Sequence, residues 1–188
     1  MKESNLVRMP LARFGAIAAV VTLALSVTAG SANAITPKGQ ARGATTVTLN
    51  TVTIGAVVGL GLTPAALAPG VLGGDPLQAS FAIVGNSKGG IIKHTGGLSL
   101  TAGNKSLALT NYYINTNTGV LTAEAALNGT SLGRIPLFDL GSAPAKAGCA
   151  ATAELTLTNA AAGALTAIFD APDLTGADFG TACVAPRM

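Results

Sequence analysis

Between Leu77 and Leu140 short apolar segments recur with turn residues every 8–12 positions, and this spacing constrains the fold more than any other feature of the chain. Leu77, Ala79, Phe81 and Ile83 alternate with Gln78 and Ser80, and the Gly85-Asn86-Ser87 turn leads to a second strand, Gly90 to His94. Strands over Leu98–Thr101, Leu107–Ile114, Leu121–Leu127 and Leu132–Leu140 follow, separated by turn signals at Asn115–Gly119 and Asn128-Gly129. Asn-Gly between two alternating runs predicts a two-residue hairpin. Such a succession belongs to a β-sandwich or barrel. The reading adopted is an all-β antiparallel sandwich with one short helix near the C-terminus.

The flanks are less regular. Thr45 to Val58 reads as strand, with Val47 and Leu49 on one face and Val52 and Ile54 on the other; the change of phase at Asn50 predicts a bulge or a crossing between sheets. Gly59 to Pro76, with Pro64, Pro69 and Gly73-Gly74-Asp75-Pro76, reads as a loop containing a short helical turn at Pro64–Ala68. Thr152 to Thr158 alternates, with Ala153, Leu155 and Leu157 facing inward. Asn159 is placed to cap an Ala-rich helix that reaches Phe169 and stops at Ala171-Pro172. Gly180 to Val184 is expected to return as a final strand.

The N-terminus is read as an export signal. Lys2, Arg8 and Arg13 precede an apolar run, Ala16–Val27, and small residues ending in Ala32-Asn33-Ala34 supply an A-x-A cleavage site. The run is shorter than the roughly 20 residues of a membrane span. Residues 1–34 are thus expected to be removed, leaving one secreted domain from Ile35 to Met188, free or loosely associated with the cell wall, with no membrane span. The precursor carries 11 Lys and Arg against 8 Asp and Glu. Beyond residue 34 there remain eight bases and seven acids, net +1, spread singly. A nucleic-acid partner needs a dense basic face, so none is expected. An envelope or other extracellular ligand is the expected partner. Both cysteines, Cys149 and Cys183, lie past the cleavage site and are predicted to pair in an oxidising compartment. A zinc site would need further ligands, and the chain has one His.

The motifs that could carry chemistry are few. Gly85-Asn86-Ser87-Lys88-Gly89 matches G-x-S-x-G, but a nucleophile elbow requires a helix after the Ser and a later His, whereas a strand follows here; a hydrolase is the third-ranked function. Asp170, Asp173 and Asp178 lack the spacing of an EF-hand and are assigned to turns and caps. Glu124, Glu154 and Asp139 are assigned to solvated strand faces, and the sequons at Asn104 and Asn128 to turns. His94, the one histidine, is expected to bond backbone or water beside Gly96-Gly97. Tyr112 and Tyr113, adjacent on a strand, must point to opposite faces.

The segment Gly90-Ile91-Ile92-Lys93-His94-Thr95-Gly96-Gly97-Leu98-Ser99-Leu100, followed by Leu107-Ala108-Leu109-Thr110-Asn111 and Thr118-Gly119-Val120-Leu121-Thr122-Ala123, resembles the core of the HtaA domain. The resemblance implies a secreted or surface β-sandwich of actinobacteria, several members of which bind haem. It also implies an iron-ligating Tyr near the domain's N-terminus, hydrogen-bonded by the motif His. His94 matches that motif, but no Tyr stands between Ile35 and Tyr112. The function expected from the sequence is a non-enzymatic extracellular or cell-envelope binding or structural module without a cofactor. The alternative is a haem-binding protein using His94, Tyr112 and Tyr113.

Overall fold

The computed structural model describes residues 42–85 and 89–186. The export signal and its cleavage site lie outside the described residues.

The first strand, β1 (Gly43–Leu49), alternates inward Thr45, Val47 and Leu49 with outward Thr46 and Thr48, as the sequence predicts. The predicted continuation of this strand to Val58 is wrong. The phase change at Asn50 marks a helix start, α1 (Thr51–Gly59). The Asn50 side chain accepts from the Val52 and Thr53 amides, at 2.9 and 3.5 Å, and so caps two of the amides a helix start leaves without partners. This cap, with Val57 buried beneath the helix, outweighs the weak helix propensity of a segment rich in Val, Thr and Ile.

Two short strands replace the predicted loop and helical turn: β2 (Thr63–Leu67) and β3 (Val71–Gly73). Because β2 lies at an edge of the sheet, pairing only with β6 (Gly97–Ala102), Pro64 is tolerated there despite lacking an amide donor. The middle of the chain follows the predicted succession: β4 (Gln78–Gly85), β5 (Ile91–Thr95), then β6, β7 (Lys105–Asn115), β8 (Val120–Leu127) and β9 (Thr130–Ser142). Asn128 and Gly129, with φ of 49° and 83°, form the expected two-residue hairpin. The end follows it too, with β10 (Ala151–Leu157), α2 (Asn159–Phe169) and β11 (Asp178–Pro186). Thr158 rather than Asn159 caps α2, its hydroxyl accepting from the Ala161 amide.

The strands do not form two sheets. They pair in the order β7-β5-β4-β1-β11-β10-β9-β8, and β8 pairs again with β7, so eight antiparallel strands close into a barrel with β2, β3 and β6 added outside the ring. The expected sandwich is therefore corrected to a barrel, and the single expected helix to two. A sandwich and a barrel share the same alternation along each strand, so strand patterns alone do not separate them.

Closure depends on the way β7 divides its partners. Its first half pairs with β6 and its second with β5, and the register against β8 shifts between Thr110 and Tyr113, around Asn111 with φ of 51°. Opposite this bulge the chain breaks between β5 and β6 at Gly96, where φ is +86° and an added Cβ would run into the backbone of Gly70. A Cβ on the neighbouring Gly97 would collide with the Leu109 carbonyl. The Gly-Gly pair of the motif is required by these close backbone approaches.

Both β1 and β10 run antiparallel to β11, so they point the same way, and the helices that follow them lie at the same end of the barrel. Near the other end Cys149 is joined to Cys183, as expected, with a Cα–Cα distance of 5.3 Å.

Candidate functional site

Three strands bring the candidate residues to the interior. Along β1, period-two alternation that turns Val47 and Leu49 inward turns Thr45 inward as well. Thr45 is 2% exposed and His94, on β5, is 3% exposed. The His94 Nε2 and the Thr45 hydroxyl are 2.7 Å apart, and Nδ1 lies 3.1 Å from the Tyr112 carbonyl. A carbonyl can only accept, so Nδ1 carries the proton and the Thr45 hydroxyl donates to Nε2. Burial holds the imidazole below its ordinary pKa, an effect larger than the opposing hydrogen bond to Tyr112. His94 is thus a neutral side chain with both nitrogens engaged.

Tyr112 is equally committed. Its ring packs against Phe81, with centroids 4.6 Å apart. Its hydroxyl donates to the Leu109 carbonyl at 2.9 Å and accepts from the Leu98 amide at 3.1 Å. Burial pushes the phenol above its ordinary pKa.

Tyr113 faces the other way, as strand alternation requires. On the outer surface its ring lies 3.8 Å below the Arg134 guanidinium carbon and 5.1 Å from Lys93 Nζ. Arg134 also donates to Glu124 at 3.1 Å and to the Asn111 carbonyl at 2.9 Å. Asn111 donates to the same Glu124, and this bond, ahead of the contacts with Arg134, lowers the Glu124 pKa. The structure therefore joins His94 to the backbone of Tyr112 inside the barrel and leaves Tyr113 outside with two cations. Sequence reasoning missed Thr45, although its inward phase was readable, and it missed Lys93 and Arg134, which only strand pairing brings to Tyr113.

The other candidates have local roles. Asp170 ends α2 with φ of 57°, Asp173 accepts from the Thr175 amide, and Asp178 accepts from the Asn50 side chain and the Gly180 amide. Among the described residues no group of three or more His, Cys, Asp or Glu side chains could hold a metal ion. The G-x-S-x-G segment joins β4 to β5, and its central residues, 86–88, lie outside the described residues. Glu124 and Glu154 are exposed. No helix among the described residues is long and apolar enough to cross a membrane.

No family model matches the chain, and no curated protein matches it in sequence. Solved structures do. The C-terminal domain of HtaA from Corynebacterium glutamicum aligns with a TM-score of 0.53 at 16% identity, over 76% of this chain and 94% of that one. The heme binding protein HtaB from the same organism aligns with a TM-score of 0.50 at 11% identity, over 74% of this chain and 89% of that one. This chain therefore has an HtaA-like fold.

Proposed function

We propose that the chain acts outside the cytoplasm as a non-enzymatic binding or structural module, and that it takes no haem through His94. One observation carries this reading: both ring nitrogens of the single histidine are engaged inside the barrel, by Thr45 and by the Tyr112 carbonyl. Where the family resemblance implies a tyrosine on an N-terminal strand as the partner of that histidine, the partner here is a threonine, whose alcohol is a far weaker acid than a phenol and a poor iron ligand. The Cys149–Cys183 disulfide fits an oxidising compartment.

Haem capture is the second reading. It is favoured by the likeness to HtaB and by Tyr113, whose ring sits beside Lys93 and Arg134 on the outer face, where cations would suit the carboxylates of a haem. Titration with hemin, followed at the Soret band, separates the two. The module reading expects no saturable binding at low micromolar hemin. Submicromolar binding that is lost in Tyr113→Phe and kept in His94→Gln would establish the outer-face reading. Binding lost in His94→Gln would overturn the role given to the histidine.

A further inference from the structure

The barrel wall encloses more room than its side chains fill. Native cores hold few voids larger than a water molecule, and an eight-stranded barrel is just wide enough for side chains to fill or for one small ligand to occupy. Here a cavity of about 100 Å³ remains. Its origin is compositional: Ala79 on β4 and Ala161 and Ala164 on α2 line it at places where a Leu or Ile would take up the space.

The cavity is long. Along β1 it touches Thr45, Val47 and Leu49, a reach of roughly 13 Å at strand rise. It asks for no polar guest. Thr45 and His94 are bonded to each other, the Tyr112 hydroxyl is bonded to backbone, and every other lining residue is apolar. Cavities of this kind stay dry and accept hydrocarbon.

At the helix end, α1 turns Ile54 and Val57 toward the cavity, while Val52, Val58 and Leu60 are 80%, 44% and 39% exposed. The helix is apolar on both sides. Its N-terminus is tied down by the Asn50 cap and by bonds from Asn50 and Thr53 to Asp178. Its C-terminus runs into Gly59 and Gly61, the latter at φ +76°. The turn beyond it is closed by the Leu60, Gly61 and Leu62 amides, which donate to the Ala56, Val58 and Val57 carbonyls, and Leu62 is buried.

We propose that the barrel interior binds an aliphatic hydrocarbon chain, which enters beside α1 and lies along the axis with its polar head outside. The apolar lining and its run along β1 set the chemical class, and the exposed side chains at α1 offer a surface for the part of the chain that emerges. This rests on the reading of the domain as a binding module and adds the class of ligand.

The test uses sodium decanoate below its micelle concentration as probe, with methyl-labelled protein expressed from the full sequence and purified. Saturable shifts are expected at the methyls of Val57, Leu107 and Leu155, which are buried, with Val84 and Leu132 on the surface unmoved. Ala164→Leu, which fills the cavity from a half-buried site on α2, is expected to weaken decanoate at least tenfold. Shifts confined to Val52, Val58 and Leu60, no shifts at all, or unchanged affinity in a folded Ala164→Leu would each overturn the proposal. Should that variant not fold, the map of wild-type methyls decides alone. Hemin binding through His94 would instead overturn the module reading, and it is read at the Soret band, independently of this map.

Discussion

Replacing His94 with Ala removes two hydrogen bonds at once and leaves the Thr45 hydroxyl and the Tyr112 carbonyl without partners in a closed interior. An orphaned buried group costs about 1–3 kcal/mol, and the lost ring volume adds to it. His94→Ala is expected to destabilise by about 2–4 kcal/mol in chemical denaturation; a loss below about 0.5 kcal/mol would place the ring outside the network. The same burial makes stability depend on pH. The folded pKa is lowered, so the unfolded chain binds the proton more readily. Stability is then full above the unfolded pKa, about 6.5, and declines as pH falls from there through the folded value. Hydrogen bonds from Asn111 and from Thr175 hold the Glu124 and Asp173 carboxyls below their ordinary pKa values. Denaturation midpoints measured between pH 8 and 5 are expected to fall in the wild type and to flatten in His94→Gln. Gly97 allows a comparable test of the motif. An added Cβ meets the Leu109 carbonyl, so Gly97→Ala should cost about 1–3 kcal/mol by overpacking, measurable as a lowered Tm.

Among the elements, α1 depends on a single side chain at its start. Asn50→Ala removes the acceptor of two amides and the link to Asp178, and a lost cap of this kind costs about 1 kcal/mol. Amide exchange should rise across Thr51–Val58 before it rises in the strands; uniform change would show that the helix does not open by itself. The disulfide clips the loop before β10 to β11 across a separation of 34 residues. Chain entropy for that length gives about 3–4 kcal/mol, so the paired Cys149→Ala and Cys183→Ala variant should lose that much in denaturant unfolding. These elements also show what a single sequence makes readable. The Asn128-Gly129 hairpin and the strands from β4 to β11 follow from alternation and turn chemistry, both local. The start of α1 is not legible locally because Val, Thr and Ile favour strand, and the cap that overrides them matters only once Val57 has a core to enter. The strand around Pro64 is not legible either, because edge position, which excuses a proline, is a property of the sheet and not of the segment.

Barrel closure is a property of the whole chain. It requires β8 to meet β7 after the sheet has passed through β5, β4, β1, β11, β10 and β9, and no local pattern records that meeting. The candidate site divides in the same way. In the sequence His94 stands out as the single histidine, beside a Gly-Gly break that reads as a turn. In the structure it faces the core, because β5 is inserted between β4 and β7 and one residue of register decides which side chains point inward. The interior role of His94 is the centre of the functional account. It is tested most directly by the nitrogen and proton resonances of the imidazole, recorded from pH 8 to pH 5 with and without hemin. A neutral ring protonated at Nδ1, unprotonated at Nε2, still uncharged below pH 6.5 in the folded protein, and unmoved by hemin is the expected result. A ring that titrates near 6.5, or whose resonances shift or vanish when hemin is added, would contradict it.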